Sequence, residues 1–240
     1  MKLTLGTWGF YKPSPAESID SVLEYAVESA IYYFDTALVY GGQEAEKALG
    51  RLRKKFSNRP LHITTKIPGK VKPWKGCSIG EIYTPEHLEK CLESSINNLG
   101  AVETILLHNW SSEFTTSDYR MIFEIMNGWK EKGLCQEIGV SLPNGYGVLP
   151  QEDLIKSVDT FMLPINSTNL FNREIGLKLK DLGKKVMVRS LFEVRENVPS
   201  SIEKKKNIIA DVAFADEIVI GTTNRKHLSE LKDIVFDLRQ

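Results

Sequence analysis

Two rhythms of apolar residues alternate along this chain, and their alternation predicts its architecture. Short runs at 2–7, 31–34, 62–66, 104–108, 137–141, 160–163, 185–189 and 217–220 are apolar, aromatic or β-branched and read as strands. Between them apolar residues return every three or four positions, the spacing that gives a helix one buried face. Ile19, Val22, Leu23, Ala26 and Val27 do so after the first strand, and Ala45, Ala48, Leu49 and Leu52 after the second, in a helix expected over 43–54. Leu88, Cys91, Leu92, Ser95, Ile96 and Leu99 form a third face, and Ile122, Ile125, Met126 and Trp129 a fourth. Further helices are predicted at 151–157, 172–182, 202–212 and 225–235.

Local punctuation agrees with these limits. Ser14-Pro15-Ala16-Glu17 and Thr84-Pro85-Glu86 each join a capping hydroxyl to a proline and an acid in the first turn. Ser200 or Ser201 caps the helix that follows, and Gly133 and Gly183 stop the helices before them. Segment 67–84, with Pro68, Pro73, Trp74 and Gly76, is expected as one long loop. Eight strands alternating strictly with eight helices imply parallel strands joined by helical crossovers. Eight such units in roughly 250 residues predict an α/β protein with the (β/α)8 TIM barrel fold, a single domain over 1–240. A doubly wound open sheet is the rival arrangement, and it usually has fewer repeats.

Composition removes several classes of function. Lys and Arg number 31, as do Asp and Glu, so the net charge is zero and neither nucleic acid nor a membrane surface is an expected partner. The basic stretches 51–55 and 204–206 fall on helices and read as solvated faces. No apolar run approaches the roughly 18–20 residues needed to span a bilayer. The first nine residues have no hydrophobic region of the signal-peptide kind, so none is expected. Cys77, Cys91 and Cys135 are odd in number and scattered, which fits reduced thiols in a cytoplasm and no metal site.

In such a barrel the active site forms at the C-terminal ends of the strands. Asp35 follows strand two, Lys66 strand three and His108 strand four, while Tyr40 lies in the loop after strand two. An acid, a base and an imidazole on three adjacent strand ends should face one mouth. A phenol titrates near pH 10 and is a reluctant acid at neutrality. A neighbouring ammonium favours the phenolate, so Lys66 would activate Tyr40, and Asp35 would hold Lys66 by a charge-assisted bond. His108 would hydrogen-bond a substrate oxygen or share the tyrosine proton. The set suits protonation of a carbonyl oxygen as it becomes an alkoxide, but it contains no hydride source.

These residues lie within a longer series of motifs that resembles the aldo-keto reductase family. The matching stretches are Gly6-Thr7-Trp8, Phe34-Asp35-Thr36-Ala37 with Tyr40-Gly41, Glu46 with Leu49-Gly50, Thr64-Thr65-Lys66, Leu106-Leu107-His108, Ile138-Gly139-Val140-Ser141, and Gly221 with Leu228. The resemblance implies a catalytic tetrad of Asp35, Tyr40, Lys66 and His108, with Tyr40 as proton donor. It implies hydride transfer between NADP, or NAD, and a small aldehyde or ketone, possibly sugar-like, as substrate. It places Ser141, Arg189, Gly221, Thr222, Thr223, Asn224, Arg225 and Glu230 at the cofactor. Arg225 and Lys226 oppose the dipole of the last helix unless a phosphate compensates them; otherwise they are simply exposed.

The chain departs from the family's pattern at three positions. Leu142 and Met162 stand where an asparagine and a glutamine commonly grip the nicotinamide carboxamide, with Asn166 nearby as a substitute or a loop cap. Arg189 stands where an aromatic ring commonly stacks; an arginine plane can also stack, hold an acidic substrate or pair with Glu193. The family's N-terminal hairpin and C-terminal loop are expected to be missing, which would leave an open pocket lined by Trp8, Trp74 and Trp110. Two further readings accompany the reductase: a cofactor-independent isomerase or lyase on the same barrel, with Lys66 as a possible Schiff-base lysine, and a cofactor-sensing binding subunit with little turnover.

Overall fold

In the computed structural model of this chain, eight parallel strands follow one another around a closed barrel in sequence order. They are β1 (Lys2–Gly6), β2 (Tyr33–Asp35), β3 (His62–Ile67), β4 (Thr104–Leu107), β5 (Glu137–Ser141), β6 (Thr160–Pro164), β7 (Lys185–Arg189) and β8 (Glu217–Gly221). The structure describes residues 1–11, 18–70, 78–108, 110–114, 116–166, 169–192 and 201–238. The expected first helix cap at 14–17 lies outside these residues, as do Pro73, Trp74, Gly76, Cys77, Glu193 and Ser200.

The helices among the described residues are α1 (Ile19–Glu28), α2 (Glu44–Lys55), α3 (Ile79–Ile82), α4 (Pro85–Leu99), α5 (Thr116–Glu131), α6 (Glu152–Ser157), α7 (Phe171–Asp181), α8 (Ile202–Ala210) and α9 (Arg225–Asp237). Thr84 caps α4 and Ser201 caps α8, each accepting from a backbone N–H three residues on. Gly133 and Gly183 take positive φ just past α5 and α7, as helix-stopping glycines do. The difference from expectation is α3, one turn inside the segment read as loop 67–84. It is too short to show a helical period, yet Ser78 and Glu81 cap each other reciprocally around its start.

Inside the barrel, side chains stack in layers that alternate in polarity. At the N-terminal end Lys185 Nζ lies 2.7 Å from Glu137 Oε2 and 2.8 Å from Glu217 Oε1. Thr4, Thr104 and Thr160 donate their hydroxyls to the same two carboxylates. Burial pulls the Lys185 ammonium down, but Glu217 and Glu137 together hold it above the usual lysine value. Above this layer Leu106, Met162, Met187 and Val219 form an apolar plug. The plug closes the interior, so the chemistry is confined to the rim above it.

The glutamate–leucine–glycine motif has a packing explanation. A Cβ on Gly50 would meet the backbone oxygen of Asn98 at 1.9 Å, so only glycine lets α2 lie against α4. Leu49 fills the core at 0% exposure. Glu46, equally buried, accepts hydrogen bonds from Thr65, Ser95 and Asn98 at 2.6, 2.8 and 2.9 Å. One carboxylate thereby ties α2 and α4 to β3, one residue from Lys66.

Candidate active site

Backbone pairing brings Asp35 and Lys66 to the C-terminal rim from adjacent strands, and His108 follows directly after β4. The His108 N–H bonds to Ile67 O at 2.9 Å, which extends the β3–β4 ladder to the imidazole-bearing residue. Tyr40 opens a 3-10 turn (Tyr40–Gln43) rather than lying in an open loop. The turn depends on three successive left-handed residues: Gly41 (φ 58°), Gly42 (φ 62°) and Gln43 (φ 78°). Gly41 also meets the Tyr11 ring, where a Cβ would approach Cγ to 2.4 Å. This compact turn sends the chain straight into α2 and keeps Tyr40 at the rim.

Lys66 Nζ lies 2.5 Å from Asp35 Oδ1 and donates to Thr36 O at 2.8 Å. The Lys66 side chain is 2% exposed and that of Asp35 6%. Burial pushes the Asp35 carboxyl up, and the Lys66 ammonium opposes that rise. Removing either partner would strand a buried charge, so the pair is fixed more firmly than its net contribution to stability suggests. Thr7 supports it from β1: its hydroxyl reaches Asp35 O at 3.1 Å and Thr36 Oγ1 at 3.0 Å. The glycine–threonine–tryptophan and aspartate–threonine motifs therefore meet as one brace.

Tyr40 stands over this pair, with its ring centroid 5.2 Å from Lys66 Nζ. The His108 ring faces it edge-on at 6.1 Å. Burial, then the Lys66 and Arg189 cations, push the His108 imidazole down to about 3, so the ring is neutral at ordinary pH. Neutral imidazole has one N–H donor and one acceptor, which suits a hydrogen bond to a substrate oxygen. Tyr83, 1% exposed, donates its hydroxyl to the His108 backbone oxygen and anchors that residue. Tyr83 was not among the sequence candidates; the clue was its place after the Ser78–Glu81 capping pair, which turns the chain back under the rim.

The opposite rim is built differently. Ser141 ends β5 at 2% exposure, but Leu142 and Met162 are wholly buried and bring no polar side chain. Asn166 accepts from Asn169 at 2.9 Å and serves as a loop cap. Arg189 ends β7. Its Nη2 donates to Leu142 O at 2.8 Å, and its Nη1 to Ser190 Oγ at 3.1 Å and Asn144 Oδ1 at 3.3 Å. Burial pulls the guanidinium below its usual value, while Tyr40 and Asp35 hold it up.

Farther around the rim, β8 leads into the start of α9. Asn224 Oδ1 accepts from the Lys226 and His227 N–H groups, and Thr222 Oγ1 from the Asn224 N–H. Those backbone donors, expected to meet a phosphate, are therefore already satisfied. An anion here would instead meet Thr222, Thr223 and the exposed Arg225 beside open Gly221. Glu230, expected at the cofactor, has its Oε1 2.5 Å from Lys205 Nζ on α8.

Of the three tryptophans, Trp8 is 62% exposed just past β1. Trp110, expected to line the pocket, is packed into a wall rather than standing open. It is 2% exposed, its ring 5.1–5.6 Å from those of Phe114, Tyr119 and Phe123. Its aromatic neighbours absorb it because they recur on the β4–α5 connection and along α5. With Ser111, Tyr146 and Leu149 among others, it lines a cavity of about 110 Å³.

Comparison with known proteins points the same way. Residues 2–189 match the model of the aldo/keto reductase family. A Glycine max protein named probable aldo-keto reductase 1 is 28% identical over 139 residues, which span 57% of this chain and 39% of that protein. Among solved structures, one described as an aldo-keto reductase from Pseudomonas aeruginosa superposes with a TM-score of 0.77 at 18% identity, covering 99% of this chain and 90% of its own. The holo form of an aldo-keto reductase from Bacillus halodurans gives 0.75 at 14% identity, covering 98% and 86%. At these identities the two structures establish likeness of fold.

Proposed function

The chain belongs to the aldo/keto reductase family, and from that premise we propose that it reduces an aldehyde or ketone to an alcohol with NADPH or NADH, Tyr40 giving the proton. Family and fold support an oxidoreductase acting on a small carbonyl compound. The observation that carries the finer reading is the buried Lys66–Asp35 pair beneath the Tyr40 ring, with His108 at its edge.

The residues fit a nicotinamide dinucleotide by their donor chemistry. Ser141 supplies a hydroxyl at the ring end, and Thr222, Thr223, Asn224 and Arg225 supply hydroxyls, an amide and a cation for phosphates. The cofactor, when bound, supplies the hydride. The chain's residues do the rest. His108 orients the substrate oxygen through its N–H, and Tyr40 delivers a proton as that oxygen gains charge. Lys66 stabilises the phenolate that remains, and Asp35 with Thr36 O keeps the ammonium in place. NADP is favoured over NAD by Arg225, a cation suited to a 2′-phosphate. Among the described residues no helix is long and apolar enough to cross a membrane. A cytoplasmic location is part of the proposal and rests on free, buried Cys91 and Cys135.

Titration of the protein with NADPH and NADH, followed by cofactor fluorescence, tests this reading. Saturable binding and oxidation of bound NADPH by an aldehyde panel are expected; failure of both cofactors to bind defeats it. A second reading, proton transfer without a cofactor, is favoured by apolar Leu142 and Met162. It predicts no cofactor binding, together with solvent-deuterium exchange into a sugar-like substrate. The Schiff-base form of that reading conflicts with Lys66, whose amine is buried against Asp35.

A further inference from the structure

Arg189 is a half-buried cation at the mouth whose hydrogen-bond acceptors among the described residues are neutral: Leu142 O, Asn144 Oδ1 and Ser190 Oγ. Lys66, the other cation nearby, is neutralised by Asp35 at 2.5 Å. His108 is neutral, as noted above, so among the described residues around Tyr40 and His108 the Arg189 guanidinium is a cation with no carboxylate bonded to it. Arg189 ends β7 at the same C-terminal rim as Asp35 and His108, and its charge helps to push the His108 imidazole down.

The backbone supports the same side chain at a cost. Ser190 adopts φ 63°, a left-handed conformation that residues other than glycine, asparagine and aspartate rarely take. Strain of this kind, about 1–3 kcal/mol, persists where surrounding structure enforces it and concentrates at ligand clamps. Here it accompanies the Ser190 hydroxyl's bond to Arg189 Nη1. Three contacts from two loops and one strained residue hold a guanidinium in place. A merely solvated arginine would need none of them. Guanidinium has five N–H donors in a planar fork that matches a carboxylate, and part of it stays accessible to solvent.

We propose that Arg189 is a substrate-anion subsite, and that the preferred substrate is an oxo acid whose carboxylate lies close to the reacting carbonyl. This rests on the reductase reading for the fate of the carbonyl, but not for the binding of the anion. The carboxylate would pair with Arg189 while the carbonyl oxygen meets His108 and Tyr40, so one end of the substrate sets the position of the other.

Oxamate, an unreactive mimic of a 2-oxo acid, and its uncharged analogue oxamide separate the possibilities by calorimetric titration, with and without NADPH. Wild-type protein should bind oxamate at least tenfold more tightly than oxamide. Arg189→Gln should weaken oxamate about tenfold or more and leave oxamide unchanged, and Arg189→Lys should recover only part of the loss. Circular dichroism melting of both variants checks that they fold. Equal binding of the two probes by wild type, no oxamate binding in either condition, or oxamate binding unaffected by Arg189→Gln overturns the proposal. So does inorganic pyrophosphate binding that depends on Arg189 and displaces oxamate, because it would assign the cation to a cofactor phosphate. The reductase reading fails separately, when oxamate binds as stated but neither NADPH nor NADH does.

Discussion

The two halves of the barrel rim follow opposite strategies. From β2 to β4 the rim is closed and self-sufficient: Asp35, Lys66, Thr36 and Thr7 satisfy one another, and Tyr40 and His108 complete the group. From β5 to β8 it is unbalanced: Leu142 and Met162 are apolar, and among the described residues Arg189 has a charge with no carboxylate bonded to it. Proton transfer demands fixed geometry over short distances, so the first half tolerates little change. Holding ligands can be achieved by many donor sets, and under the proposed function the second half would do so with a different one.

Removing the phenol hydroxyl should produce the largest effect. Tyr40→Phe is expected to lower turnover about a hundred- to ten-thousand-fold, the usual contribution of a positioned acid, with cofactor affinity and melting temperature nearly unchanged. A loss of under tenfold would move the proton donor elsewhere. Next comes the buried pair. Asp35→Ala should destabilise the protein by about 3–5 kcal/mol in urea unfolding, because it leaves the Lys66 ammonium uncompensated. An equal cost for Arg189→Gln, which removes a charge rather than stranding one, would erase the contrast between the two halves.

A smaller effect is expected from pH. His108 titrates near 3 when folded and near 6.5 when unfolded, so between those values the unfolded chain binds the extra proton. Stability from this residue is full above pH 6.5 and falls as pH drops toward 3. The slope is at most about 1.4 kcal/mol per pH unit. His108→Gln should flatten that part of the stability curve; an unchanged slope would mean that the imidazole is protonated in the folded protein. The smallest effect concerns Arg225. Arg225→Ala should weaken NADPH by about fivefold or less, the range of one exposed charge at about 1 kcal/mol, and leave NADH unchanged. Equal weakening of both would remove the 2′-phosphate preference.

The fold was legible because strand and helix periods differ, and because the barrel repeats that contrast eight times. The first half of the rim was legible for a related reason: Asp35, Lys66 and His108 lie at or within one residue of the ends of strands two to four, so position along a strand was enough. The supports of those residues were harder to find. Thr7 and Tyr83 act through backbone oxygens, and no side-chain pattern announces that. The Glu137–Lys185–Glu217 layer was hidden in strands read as core, because one inward position in a buried strand can be charged if its partners arrive from strands far away in sequence. For Trp110 nearness to His108 in sequence suggested a lining position, but not the aromatic neighbours that hold it buried in a cavity wall.

The seam between β1 and β8 carries a kinetic consequence. Thr4 bonds to Glu217, 213 residues later, and the two strands pair along five positions. During synthesis the first strand therefore waits, with an unpaired edge, for almost the whole chain to leave the ribosome. Contacts this distant in sequence are slow to form. Until they do, Glu217 lacks the Thr4 hydroxyl and the edges of an open sheet can pair with other chains. The last strand to appear is also the one that ends this exposure, so the yield of native protein should depend on how quickly the seam closes.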